Sequence, residues 1–336
     1  MHKTDEFGTV MMAIYVDDCL MIGDQEAVKR AIKEIKKHFE ITHQEGIREF
    51  IGCKVEQETN QLLLSQPDLI KKLEEKFGDK VKNLKTNDTP AGPGTHVMRP
   101  TDEEEKLDYE LQTKYRSGVG SLLYLLKHSR PDLSNSVREL SKVMDGATKA
   151  HMKMLKRVIK FVIDTKERKL ILKPRKELNK WEIKGYSDSD FAGDTDGRKS
   201  ISGYVIYLQG CPISWRSKGQ KSVSLSSTEA EYMAVSEIAT EILFIRSMLE
   251  FLGVKVELPI EVNVDNIGAI YLSKSATSSN RTRHIDTRYH FVREYIENGI
   301  LKIVFVKSED NDADIMTKNL CIRLYDKHRR AIMNQG

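Results

Sequence analysis

From Trp181 onward the sequence alternates element types in an order that few folds accommodate. Apolar, β-rich runs at 182–186, 202–208 and 211–215 read as strands, and 228–252 reads as one long helix. A strand at 260–264, a short helix from Asn266, a helix over 284–297, a strand at 301–306 and a last helix from Asn311 follow. Three strands, a helix, then alternating strands and helices predict an α/β fold built on a mixed five-stranded sheet with flanking helices.

Upstream, the pattern is less regular. "MMAIYVDDCLMIGD" from Met11 carries two apolar runs around Asp17 and Asp18 and reads as a β-hairpin. Adjacent carboxylates repel on a packed surface unless a cation neutralises them, so such pairs suit Mg²⁺ in nucleotidyl-transfer sites. A helix is expected over 25–39, a turn leading into a strand in "GIREFIGCKVEQ", and a strand over 62–65. A further helix is opened by Pro67 and closed by Gly78. Three prolines and two glycines in the sixteen residues 86–101 predict a linker or long surface loop.

Residues 108–165 read as three helical pieces broken at "HSRPD" and "MDGAT". In the third, Leu155, Val158, Ile159 and Val162 form an apolar stripe. Lys149, Lys153, Lys156 and Lys160 lie roughly 145° away at 100° per residue. Such a line is either a solvated face or a phosphate-tracking strip. Lys166, Arg168, Lys169, Lys173, Arg175, Lys176 and Lys180 extend it.

A chain of 336 residues suggests about two domains. With 39% hydrophobic and 31% charged residues it reads as soluble and globular, and a net charge of +4 permits nucleic acid as a partner. The longest apolar run, 10–16, is too short to span a membrane, and "MHKTDEFG" is no signal peptide, so an intracellular location in cytoplasm or nucleus is expected. Cysteines at 19, 53, 211 and 321 lack zinc or disulfide spacing and are expected to be reduced and mostly buried.

Four acids stand out. Asp188 follows the first strand of the alternating region, Asp265 ends "IEVNVD" at the carboxyl edge of the sheet, and Asp314 opens a helix in "NDADIMTK". Each also has a local explanation as a turn or helix-start residue. Glu231 completes a capping-box pattern with Thr228. It also falls within about 40° of Val235, Ile238, Ile242, Ile245 and Leu249 on a helical wheel, so it should point at the sheet. Glu229, Glu237 and Glu241 lie off that stripe and read as solvent-facing. An inward acid needs a partner, and a metal shared with acids at strand ends suits it. "DSDFAGDTDGR" lacks the spacing of a calcium loop, and the serines of "SVSLSSTEAE" lack a nucleophile elbow.

At these residues the chain resembles the carboxyl-terminal part of the Pol polyprotein of copia-type long-terminal-repeat retrotransposons. "YVDD" at 15–18 looks like the reverse transcriptase palm motif, and "YRSGVGSLLYLLKHSRPDLSNSV" resembles the connecting region. "GYSDSDFAGDTDGRKSISGYVIYL", "SWRSKGQKSVSLSSTEAEYMAVSE", "VDNIGAI", "RTRHIDTRYHFVREYI" and "DADIMTKNL" are similar, in order, to the ribonuclease H domain.

The resemblance implies partial palm and thumb over 1–90, a linker over 91–107, a helical connection with a basic strip over 108–180, a ribonuclease H-like domain over 181–322 and a basic tail over 323–336. It makes Asp188, Glu231, Asp265 and Asp314 the catalytic carboxylates, holding two Mg²⁺ or Mn²⁺ ions for cleavage of the RNA strand of an RNA/DNA hybrid. It implies nucleic-acid contacts by Asn266, Arg281, Arg283 and His284, with Arg288 in the same basic segment. Asn266 equally suits a helix cap, and the basic residues a solvated helix start. "VKSEDNDAD" lacks the histidine that related cellular enzymes carry before the last acid. Asp17 and Asp18 are expected to be a vestigial polymerase metal site, because the upstream palm aspartate would precede Met1. DNA synthesis by this chain alone is therefore not expected. Association with other Pol or Gag-derived products is a further implication. A non-catalytic nucleic-acid-binding remnant and a gene-model fragment of a retroelement remain as alternatives.

Overall fold

The computed structural model describes residues 1–101, 103–175, 180–194, 196–274 and 290–335. The amino-terminal hairpin forms as expected, from β2 (Gly8–Tyr15) and β3 (Asp18–Gly23), with Tyr15 opposite Asp18 across a two-residue turn. It has a third strand that the sequence reading missed, β1 (His2–Asp5), antiparallel to β2. The polar composition of "HKTD" carries no period-two signal, so its pairing with β2 decides its state. Helix α1 (Gln25–Ile35) covers one side, and Ala27 is the one buried apolar residue of this unit.

Next come β4 (Glu49–Phe50), β5 (Cys53–Glu58) and β6 (Gln61–Ser65), then α2 (Pro67–Val81). Helix α2 does not stop at Gly78. Phe77 and Val81 are both buried, and burying one such side chain is worth about 1.5–3 kcal/mol, more than the roughly 1 kcal/mol a mid-helix glycine costs.

The three helical pieces are α3 (Tyr109–His128), α4 (Ser134–Ser141) and α5 (Lys149–Asp164). The apolar stripe of α5 is buried as expected. Its lysine line is not uniform: Lys149 pairs with Glu105 at 3.0 Å and Lys160 with Asp164 at 2.5 Å, while Lys153 is exposed and Lys156 half-buried. The basic continuation is also largely engaged. Arg168 faces Asp132, Lys169 pairs with Glu56 and Arg175 with Glu182. A short strand, β7 (Leu170–Leu172), runs through it and joins β6, closing a four-stranded sheet in the order β4-β5-β6-β7.

The alternating region forms β8 (Ile183–Asp190), β9 (Ile201–Leu208), β10 (Cys211–Gly219), α6 (Ser227–Phe251), β11 (Ile260–Val264), α7 (Ile267–Lys274), α8 (Phe291–Glu297), β12 (Leu301–Phe305), α9 (Asp314–Thr317) and α10 (Ile322–Ile332). Its five strands lie in the order β10-β9-β8-β11-β12, with β10, β9 and β8 antiparallel and β8, β11 and β12 parallel. This is the α/β arrangement on a mixed five-stranded sheet that the alternation of elements predicts. Residues 284–289 of the expected third helix lie outside the described residues, as do Arg281, Arg283, His284, Arg288 and Lys176.

Two apolar clusters cover the two faces of this sheet. On one, Val235, Ile238, Ile242 and Ile245 of α6 meet Ile183, Tyr204, Ile206, Val262 and Val264. On the other, Val205 and Tyr207 join a cluster that runs through α2, α3, α4 and α5 to Ile315, Met316, Tyr325, Ile332 and Met333. One core is thus continuous from the helical segment into the sheet. Residues 323–332, read as the start of a basic tail, lie in α10, a helix docked on that core because Tyr325, His328 and Ile332 share its buried side.

The expected linker over 86–101 is likewise tied down. Val97 is buried and donates its N–H to Glu139, Gly94 donates to the carbonyl of Asn319, and Asn319 returns a bond to Thr95. Proline and glycine exclude regular structure there, and side chains and carbonyls of neighbouring elements supply the backbone partners.

Candidate active site

Asp188 lies inside β8 rather than after it, since the strand continues to Asp190. Side chains alternate along a strand, and Asp188 stands opposite Gly203 on the face that carries α9. Gly203 has no side chain because a Cβ there would come within 2.7 Å of Met316 Cβ and Thr317 Cγ2. That close approach lets α9 lie against the sheet beside Asp188. Asn311, fully buried, fixes the approach by donating its side-chain amide to the carbonyl of Ser187 at 2.9 Å. Asp314 opens α9 three residues later. Asp265 follows the last residue of β11, where the central parallel strands end.

The outcome is that Asp188, Asp265 and Asp314 each offer a carboxylate oxygen within 4.8 Å of the others, with Asp188 and Asp314 buried and Asp265 half-buried. Among the described residues this is the one group of three acids, histidines or cysteines so arranged. Thr317 donates its hydroxyl to Asp188 Oδ2 and Ser308 to Asp265 Oδ2. Lys318 spans the gap, with Nζ 2.9 Å from Asp314 Oδ1 and 3.2 Å from Asp188 Oδ2.

Glu231 enters from α6 and lies just outside this trio. The capping box that rivalled an inward role is absent: Ser226 caps α6 by accepting the N–H of Glu229, and Glu229 accepts the N–H of Leu225. This corrects the expectation for Glu229, which is buried rather than solvent-facing, because capping turns it back to the helix start. Glu237 and Glu241 are half-buried, and Ser214 donates to Glu241 at 3.0 Å. Glu231 is 5% exposed; its Oε1 accepts the N–H of Ser189 at 3.0 Å, and its Oε2 is buried without a hydrogen-bond partner.

The electrostatics follow from crowding. Burial, with Asp188 and Asp265 adding repulsion, pushes Glu231 up to about 9. Burial also raises Asp188, with Lys318 opposing and Asp314 reinforcing the shift. Burial disfavours the charge on Lys318, yet Asp188 and Asp314 outweigh it and hold its ammonium above the usual lysine range. Four carboxyl groups thus crowd together with a single ammonium among them. Converging hard oxygen donors with an orphaned carboxylate oxygen beside them fit a divalent cation such as Mg²⁺ or Mn²⁺.

Asn266 caps α7, its Oδ1 accepting the N–H of Ala269 at 3.0 Å. Asp17 and Asp18 sit exposed at the turn of the β2–β3 hairpin. Sequence reasoning missed Lys318, Thr317 and Ser308. Lys318 had a readable signal, its i,i+4 spacing from Asp314.

Residues 1–92 match the family model described as reverse transcriptase (RNA-dependent DNA polymerase). The chain is 36% identical over 334 residues to the retrovirus-related Pol polyprotein from transposon RE2 of Arabidopsis thaliana, covering 96% of this chain and 22% of that one. It is 30% identical over 238 residues to a putative transposon Ty5-1 protein of Saccharomyces cerevisiae, covering 70% of this chain and 74% of that protein. The chain belongs to the copia-type retrotransposon Pol family. It spans 21–25% of the length of the Pol polyproteins of Arabidopsis thaliana and Nicotiana tabacum that it matches. In this Pol chain the four acids gather around a sheet distinct from the one that holds the "YVDD" hairpin. A solved foamy viral protease-reverse transcriptase in complex with an RNA/DNA hybrid is similar at 14% identity and a TM-score of 0.44, covering 88% of this chain and 36% of that one. No helix of the described residues is long and apolar enough to cross a membrane.

Proposed function

We propose that this Pol chain is a ribonuclease H, hydrolysing the RNA strand of RNA/DNA hybrids with the help of divalent cations. The observation that carries the reading is the convergence of Asp188, Asp265 and Asp314 at the end of the central strands. Asp188, Asp265, Asp314 and the free oxygen of Glu231 would hold two Mg²⁺ or Mn²⁺ ions. Such a pair, when bound, supplies an activated water and charge stabilisation at the departing 3′ oxygen. The chain's own residues do the positioning: Thr317 and Ser308 orient the carboxylates of Asp188 and Asp265, and Ser189 fixes Glu231. With the acids carrying the ions, no side-chain base is required. Lys153, exposed on α5, and the basic segment at 281–288 are the proposed contacts to the nucleic-acid backbone.

The test is cleavage of a labelled RNA/DNA hybrid against single-stranded RNA, comparing the chain with Asp265→Asn. Mg²⁺-dependent cleavage of the hybrid alone, lost in the variant, is expected. No cleavage, or cleavage indifferent to the substitution, contradicts the reading. Asp17 and Asp18, a carboxylate pair on an exposed turn, carry no part of this reaction.

A further inference from the structure

The four acids are not equally ready for a cation. Lys318 already places an ammonium between Asp188 and Asp314, 3.2 and 2.9 Å from their oxygens, and makes no such bond to Asp265 or Glu231. On the other side, Asp265 has the Ser308 hydroxyl and Glu231 keeps a buried oxygen with no partner at all. The lysine approaches from solvent: its side chain is 38% exposed, whereas those of Asp188 and Asp314 are 0% and 8%. It follows α9 by one residue, so its stem can swing outward without unfolding the helix.

We propose that Lys318 is a resident counter-ion, holding the Asp188–Asp314 half of the site in the metal-free protein and giving way when a divalent ion enters that half. This rests on the ribonuclease H reading of the same acids. Two consequences follow. An ion held by Asp265 and Glu231 meets no tethered cation, whereas binding between Asp188 and Asp314 is an exchange against one. The tether keeps the buried carboxylates neutralised until that exchange, since unpaired buried charge is strongly destabilising.

The experiment is a Mn²⁺ titration of the full chain, with free Mn²⁺ read by its electron paramagnetic resonance signal, for wild type, Lys318→Met and Lys318→Gln. Wild type is expected to take one tight and one weak ion. Removing the competing charge is expected to tighten the weak one roughly tenfold or more. The metal-free Lys318→Met protein should melt below wild type and regain the difference in Mn²⁺. If Lys318→Met does not fold, Lys318→Gln, which keeps a neutral hydrogen-bond donor beside the two carboxylates, carries the comparison. A weaker ion unchanged or loosened in the variants, or a single ion in all three proteins, overturns the proposal. Hybrid cleavage in the same wild-type samples reports separately: two ions bound with the expected tightening but no cleavage sinks the ribonuclease reading and leaves the exchange standing.

Discussion

Glu231 accepts the backbone N–H of Ser189 through one carboxylate oxygen at 3.0 Å and leaves the other buried and unpartnered. One oxygen is used by the fold and one is reserved, which is the arrangement expected of a ligand. Glu231→Gln keeps the bond to Ser189 and cannot ionise, so the metal-free fold should be no less stable than wild type at neutral pH, while Mg²⁺ affinity and hybrid cleavage fall about 10–100-fold. Calorimetric Mg²⁺ titration beside a cleavage assay checks both halves of this expectation.

The raised position of Glu231 makes stability depend on pH. Its ordinary value is 4.5, and the folded protein holds it at about 9. Between these values the folded state keeps a proton that the unfolded chain has lost, so stability must fall as pH rises through that window. Asp188, raised by burial, acts in the same direction. Urea midpoints of the metal-free chain should therefore decline from about pH 5 to about pH 9, and saturating Mg²⁺ should flatten the decline by replacing the proton. A midpoint that rises across the range without Mg²⁺ would contradict this account.

Beneath the sheet, Arg130 makes two 2.8 Å bonds to Asp132, both residues almost fully buried, and Tyr325 of α10 donates to the same carboxylate at 2.9 Å. Truncating one partner strands a buried charge. Arg130→Ala should cost about 3–5 kcal/mol, read as a lowered urea midpoint. Asp132→Asn should cost less, because it leaves Arg130 a hydrogen-bond partner.

Gly203 sets how closely α9 approaches β9. In Gly203→Ala the new methyl meets Met316 and Thr317, whose backbone carries Asp314 and Lys318. The helix must move, costing about 1–3 kcal/mol and spreading the cluster of Asp188, Asp265 and Asp314. Thermal unfolding with and without Mg²⁺ should show a lower melting temperature and a smaller Mg²⁺ increment.

Much of this was legible in the sequence. The order of strands and helices after Trp181 and the inward aim of Glu231 both follow from periodicity, which reports burial directly. What was illegible depends on partners distant in sequence. β1 and β7 are too short or too polar to signal themselves and exist because β2 and β6 offer them an edge. The 86–101 segment reads as a linker, yet Glu139 and Asn319 hold it. Glu229 reads as exposed because a wheel cannot show that a cap turns its carboxylate inward. The spacing of Lys318 from Asp314 was legible, but its contact with Asp188, 130 residues away, was not.

The central claim is that the acids of the mixed sheet, not the "YVDD" hairpin, carry the chemistry. Cleavage of a labelled RNA/DNA hybrid in Mg²⁺ by Asp188→Asn and Asp17→Asn, measured against the unsubstituted chain, tests it most directly. The account predicts that Asp188→Asn abolishes cleavage and Asp17→Asn leaves it unchanged; cleavage that survives Asp188→Asn, or that is lost with Asp17→Asn, would contradict it.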